Sequence, residues 1–132
     1  MSIIVDTCVW SLALRRSKPV ASAAVDMFRQ EVLQGNVIML GPIRQELLSG
    51  IRDHKVWDAL RDKLRAFPDH PIETEDYETA ADYFNLCRGK GIQGTQTDLL
   101  ICAVAVRCDF TLLSTDKDFE SYKKLLPLSL IK

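Results

Sequence analysis

A chain of 132 residues with 17 basic and 18 acidic side chains, a net charge of −1 and a pI near 6.1 carries no global basic field. That excludes a non-specific nucleic-acid binder held mainly by phosphate contacts, and leaves room for an enzyme with a local basic rim. A content of 47% hydrophobic and 27% charged residues is that of an ordinary globular protein, so residues 1–132 are expected to form a single domain with one core.

The chain begins with Ile3, Ile4 and Val5, a β-branched run read as a buried strand over 2–5 that stops on Asp6-Thr7. A short helix is expected over 7–14, with Val9, Trp10 and Leu14 as apolar contacts, followed by the basic break Arg15-Arg16-Ser17-Lys18-Pro19. Ala21, Ala24, Val25, Phe28 and Val32 recur at helical spacing and mark a second helix ended by Gly35. "NVIML" at 36–40 is strand-like, and Pro42 suits the first turn of the helix "PIRQELLSG" that follows. Val56, Trp57, Leu60, Leu64 and Phe67 form the stripe of another helix, and "HPIET" at 70–74 reads as a short strand. Tyr77, Ala80, Ala81, Phe84 and Cys87 share one face of a further helix.

Six acids and no Lys or Arg fall within Asp69–Asp82, which reads as a solvated loop and helix start. "GKGIQG" at 89–94 precedes a helix without following a strand, so it fits neither nucleotide-binding fingerprint and reads as a helix stop and turn. "DLLICAVAVRC" at 98–108 is apolar nearly all round and is expected to be a buried helix. "FTLLST" is a strand, 118–124 a short helix and "LPLSLI" a last strand. Strands alternating with helices predict an α/β fold with a parallel sheet and helices on both faces.

The cysteines Cys8, Cys87, Cys102 and Cys108 show neither a CxxC pair nor zinc spacing. They read as small buried hydrophobes in a reducing, cytoplasmic setting. No segment has the length of a membrane span, and the short N-terminal apolar run lacks the basic leader of a signal peptide.

In a parallel sheet every strand ends at the same edge, and ligands bind beyond those carboxyl ends. Asp6 follows the first strand, Glu46 lies just over a turn into the helix after the second, and Asp116 follows "FTLLS". Asp98 starts the helix whose crossover leads into that strand. Each Asp alone reads as a helix cap, whereas Glu46 lies too deep in its helix for that. Four carboxylates together repel one another unless some protonate or a cation neutralises them, and an all-oxygen set suits Mg²⁺ or Mn²⁺. Thr7, Ser114 and Thr115 add hydroxyls beside the acids. Cys8 is expected to point away from Asp6, and Asp118 to cap the next helix, with a share in the role of Asp116 as its alternative. A carboxylate-held cation makes phosphodiester hydrolysis the natural chemistry.

"IIVDTCVW", "IRQELLSG", "TDLLICAVA" and "LLSTDKDF", in this order and over essentially the whole chain, resemble the PIN-domain ribonucleases, and among them the VapC-type toxins of toxin–antitoxin pairs. The resemblance implies a three-layer α/β/α sandwich with a mostly parallel central sheet, and endonucleolytic RNA cleavage with Mg²⁺ or Mn²⁺. Carried over by motif, Asp6 and Asp98 are the main metal ligands. Glu46 and Asp116 complete the catalytic quartet, with Thr7 and Thr115 as supporting hydroxyls. The resemblance further implies a VapB-like antitoxin covering the active-site groove, and a homodimer. Val9, Trp10, Leu14 and Trp57 are candidate groove walls. Arg15, Arg16 and Lys18 are candidate RNA contacts, with Arg44, Arg52 and Lys117 beside them. Two other readings share the fold: a catalytically inert protein-interaction module that keeps the acids as caps, and a structure-specific DNA nuclease.

Overall fold

Four parallel strands organise the fold, which a computed structural model describes for residues 1–14 and 22–131. The β-branched run forms β1 (Ile3–Val5), and all three residues are buried because layers cover both faces of the sheet. β2 (Val37–Ile38), β3 (Thr111–Leu113) and β4 (Ser129–Ile131) join it in the order β2-β1-β3-β4. Ile3 pairs with Val37 on one side and Thr111 on the other, and Val5 pairs with Leu113. The chain therefore leaves β1 and β3 side by side at one edge of the sheet. The Asp6 N–H donates to the Leu113 carbonyl at 2.9 Å and carries this pairing one residue further.

Parallel pairs need long crossovers, and helices supply them. α1 (Thr7–Ala13) and α2 (Ala23–Leu33) lie between β1 and β2. α3 (Gly41–Leu48), α4 (His54–Leu64), α5 (Thr74–Gly89) and α6 (Gln96–Cys108) lie between β2 and β3, and α7 (Asp118–Lys123) between β3 and β4. The expected α/β/α arrangement is present, with every strand pairing parallel. The expected strand at 70–74 is not. Asp69 makes an isolated parallel bridge to Met39, and the His70 N–H donates to the Met39 carbonyl at 2.8 Å. Pro71 has no N–H for a ladder, and Glu73 already serves as the N-cap of α5.

As its composition predicts, α6 runs through the core, burying Leu99, Ile101, Cys102 and Val104. α5 packs along it, and one acid of the supposedly solvated run fastens the two. Asp76 is 1% exposed and takes a two-point ion pair from Arg107, at 2.6 Å from Nε and 2.8 Å from Nη2. It also accepts the Glu73 N–H at 2.8 Å as half of a capping box. The Arg107 guanidinium beside it holds the Asp76 carboxyl below the usual carboxylate range. All four cysteines are unpaired; Cys87 and Cys102 are buried as expected, whereas Cys8 and Cys108 are only partly so.

Candidate active site

Asp6 stands at the N-cap position of α1 and is 6% exposed, yet its carboxylate makes no capping bond. Instead Oδ2 accepts from the Ser114 hydroxyl at 3.0 Å and from the Cys8 thiol at 3.2 Å. Capping therefore does not account for this side chain. Cys8 does not point away from Asp6: the first turn of α1 brings its Sγ back over the end of β1, where it also takes a bond from Thr115 Oγ1 at 3.3 Å. Ser114, one residue beyond β3, accepts the Asp116 N–H at 3.0 Å as well. One buried hydroxyl thus joins the acid after β1 to the loop after β3.

Asp98 lies in the first turn of α6, where Thr95 is the capping residue and accepts the Asp98 N–H at 3.0 Å. The Asp98 carboxylate is left for other work, and its Oδ2 accepts from the Tyr122 hydroxyl at 3.0 Å. Burial, with added repulsion from Asp6 and Asp116, pushes the Asp98 carboxyl up to about 6 against the lowering effect of Tyr122 and Thr95. The Tyr122 hydroxyl is itself raised well above its ordinary value, by burial first and then by the charge on Asp98.

Asp116 keeps its expected place among the acids and also takes the capping role expected of Asp118. α7 starts at Asp118 with Lys117 at the N-cap position and no side-chain cap, and it is Asp116 Oδ1 that accepts the Asp118 N–H, at 2.9 Å. Asp98, Asp116 and Asp118 each bring a carboxylate oxygen within 4.8 Å of the other two. Asp6 stands beside this group, close enough to raise Asp98. Glu46 is exposed on α3 outside the group and is tied to the end of β1 by Thr7, whose Oγ1 donates to Oε1 at 3.2 Å. The expected hydroxyls therefore differ in use: Thr7 serves an acid, and Thr115 serves Cys8. Oxygen donors without a histidine are the set a hard divalent cation takes, so the three clustered acids, with Asp6 beside them, fit Mg²⁺ or Mn²⁺.

The surroundings sort the remaining candidates. Arg15, Arg16 and Lys18 lie outside the described residues. Arg44 is not free for RNA, since it bonds Asp69 at 2.9 Å, the Leu64 carbonyl at 3.0 Å and the Phe67 carbonyl. Arg52 and Lys117 are exposed, and Lys117 borders a cleft with Ser114, Thr115 and Asp116. Val9 is wholly buried core rather than groove wall. Trp10 and Leu14 line an apolar groove of about 440 Å³, together with Ala13, Phe28, Val32 and Phe67, but none of the candidate acids is among its lining residues. Trp57 is not among its lining residues; its ring lies under the Arg61 guanidinium, 5.6 Å from the centroid.

The family model for the PIN domain matches residues 3–125. The chain belongs to the PIN domain family. Among solved structures, this PIN domain is similar to FitAcB from Neisseria gonorrhoeae, at 18% identity and a TM-score of 0.76, covering 98% of this chain and 96% of that one. It is similar to VapBC2 from Rickettsia felis, solved bound to a DNA fragment from their promoter, at 17% identity and a TM-score of 0.75, with 99% and 98% covered. VapBC-1 from nontypeable Haemophilus influenzae follows at 15% identity and a TM-score of 0.71, with 100% and 98% covered. At these identities the likeness is one of fold. No curated protein matches the chain.

Sequence reasoning missed two groups of this PIN domain, Cys8 as a partner of Asp6 and Tyr122 as the partner of Asp98, and it favoured Asp118 as a cap over a place among the acids. The signal for Asp118 was its spacing from Asp116 directly after a strand. Tyr122 stands four residues beyond Asp118, on the same face of a helix.

Proposed function

We propose that this PIN domain is a Mg²⁺- or Mn²⁺-dependent endoribonuclease and the toxin of a toxin–antitoxin pair. The observation that carries the reading is the gathering of Asp98, Asp116 and Asp118 within 4.8 Å, beside Asp6, beyond the carboxyl ends of β1 and β3. Acids so close repel one another, and a cation removes the repulsion. Asp98, Asp116 and Asp118 would hold it together with Asp6. A divalent cation held there would supply a water of lowered pKa and charge neutralisation for phosphoryl oxygens. PIN domains are generally nucleases, which agrees with this chemistry.

The chain's own groups prepare the site. Ser114 and Cys8 fix Oδ2 of Asp6, and Thr7 holds Glu46 as the outer carboxylate of the catalytic set. Lys117 stands at the cleft edge where an RNA phosphate would lie. Arg15, Arg16 and Lys18 are proposed to extend that rim.

The names VapBC2 and VapBC-1 agree with the VapC-type motifs in the sequence. We accordingly propose a VapB-like antitoxin as partner, seated by an apolar segment in the groove of Trp10, Leu14 and Phe28. Leu33 is 88% exposed at its rim, and the buried Trp10 Nε1 has no hydrogen-bond partner among the described residues. Self-association is proposed over the α5–α6 face, where Tyr77 is 56% exposed beside Ala80, Ala81 and Phe84. No helix among the described residues is long and apolar enough to cross a membrane.

RNA incubated with the chelator-treated chain should be cleaved only after Mn²⁺ or Mg²⁺ is restored, and not by Asp98→Asn. Cleavage that persists without a cation would remove the metal from the account. Cleavage of branched DNA with RNA left intact would select the DNA-nuclease reading. Growth arrest on expression, relieved by a co-expressed antitoxin, tests the toxin assignment separately.

A further inference from the structure

We propose that Tyr122 is a positioning residue of the cation site, holding Asp98 Oδ2 from α7 so that the other carboxylate oxygen is presented to the cation. The proposal rests on the reading of the clustered acids as a cation site. Tyr122 is wholly buried, and its hydroxyl reaches Asp98 Oδ2 at 3.0 Å. A buried ring with no polar partner is served better by Phe, because a hydroxyl in the interior must be bonded to avoid a penalty.

The ring has little room to swing. It packs edge-to-face on Phe119, with centroids 5.3 Å apart and planes at 86°. Its other side approaches Gly94, where an added Cβ would lie 3.5 Å from the Tyr122 Cε1 and only 2.8 Å from the fully buried Leu99 Cδ1. The last glycine of "GKGIQG" thus admits the ring and the neighbour of Asp98 together. α7 carries both Tyr122 and, one turn earlier, Asp118. The same helix therefore presents one acid and braces another, which fixes α6 against α7 at the site.

The test is Tyr122→Phe, which keeps the ring and its packing and removes only the hydroxyl. Full-length, metal-free wild type and variant are titrated with Mn²⁺ by calorimetry and melted without metal. The expected result is a Kd weakened about tenfold or more, with a melting temperature close to wild type. A Kd within twofold of wild type overturns the role of Tyr122 and leaves the cation reading standing. Failure of wild type itself to bind Mn²⁺ overturns both. A second measurement needs no substitution at the site. The three tyrosines are labelled as 3-fluorotyrosine and assigned through Tyr77→Phe and Tyr83→Phe. Saturating Mg²⁺ should shift the Tyr122 fluorine resonance, and an unmoved resonance overturns the proposal.

Discussion

Asp98 sits in a conflict that a bound cation would resolve. Its carboxyl is raised from 3.8 to about 6, so in the metal-free protein the native state holds the proton that the unfolded chain releases first. The associated stability is fully present below pH 3.8 and is lost as the pH rises through 6. At pH 7.5 the metal-free protein therefore carries a penalty on the order of 1 kcal/mol, after allowance for solvent screening at this partly open position. Asp98→Asn should remove that penalty: urea unfolding of the metal-free variant at pH 7.5 is expected to match or exceed wild type, while Mn²⁺ binding is lost. Clear destabilisation would make Asp98 a structural anchor instead. Ser114→Ala takes a donor from Asp6 and an acceptor from the Asp116 N–H together. It should cost about 1–2 kcal/mol in the same unfolding assay and weaken Mn²⁺ binding about tenfold. Asp6 and Asp98 were legible in the sequence because strand and helix ends can be located from hydrophobic periodicity. The direction of Cys8 was not, and the choice between cap and cluster at Asp118 stayed open, since side-chain direction in the first residues of a helix depends on backbone angles that periodicity does not carry.

The helices α5 and α6 are fastened by Asp76 and Arg107, and this pair lies away from the acid cluster. The depressed Asp76 carboxyl contributes stability that is present above pH 3.8 and lost as the pH falls through its lower native value. Asp76→Asn should lower the unfolding free energy at neutral pH by about 2 kcal/mol, since hydrogen bonds to charged groups contribute about 1.5–3 kcal/mol. Its stability should also fall less steeply than wild type in acid below pH 4. A variant with the wild-type acid transition would show that the pair does not contribute. In the sequence Asp76 was hidden in an acidic run, and only its position three residues after Glu73 marked it as half of a capping box. The absent strand at 70–74 has a comparable origin: two apolar or β-favouring residues beside Pro71 imitate a strand, but a residue without an N–H cannot extend the ladder.

At the scale of the whole molecule, the parallel topology was the most legible feature. β-branched runs separated by helical stripes leave few ways to connect the chain, and the order β2-β1-β3-β4 places the ends of β1 and β3 together. Acids remote in sequence, Asp6, Asp98, Asp116 and Asp118, thereby meet at one edge. Glu46 shows the limit of topology: it lies on the helix expected, but its side chain reaches Thr7 rather than the cluster. The measurement that tests the central claim most directly is a calorimetric Mn²⁺ titration of the chelator-treated full chain, with Asp6→Asn and Asp98→Asn as controls. Saturable binding in wild type that both variants lose is the predicted result. A folded wild-type protein that takes up no Mn²⁺ would contradict it, and the acids at the strand ends would then be helix-terminal groups of an interaction module.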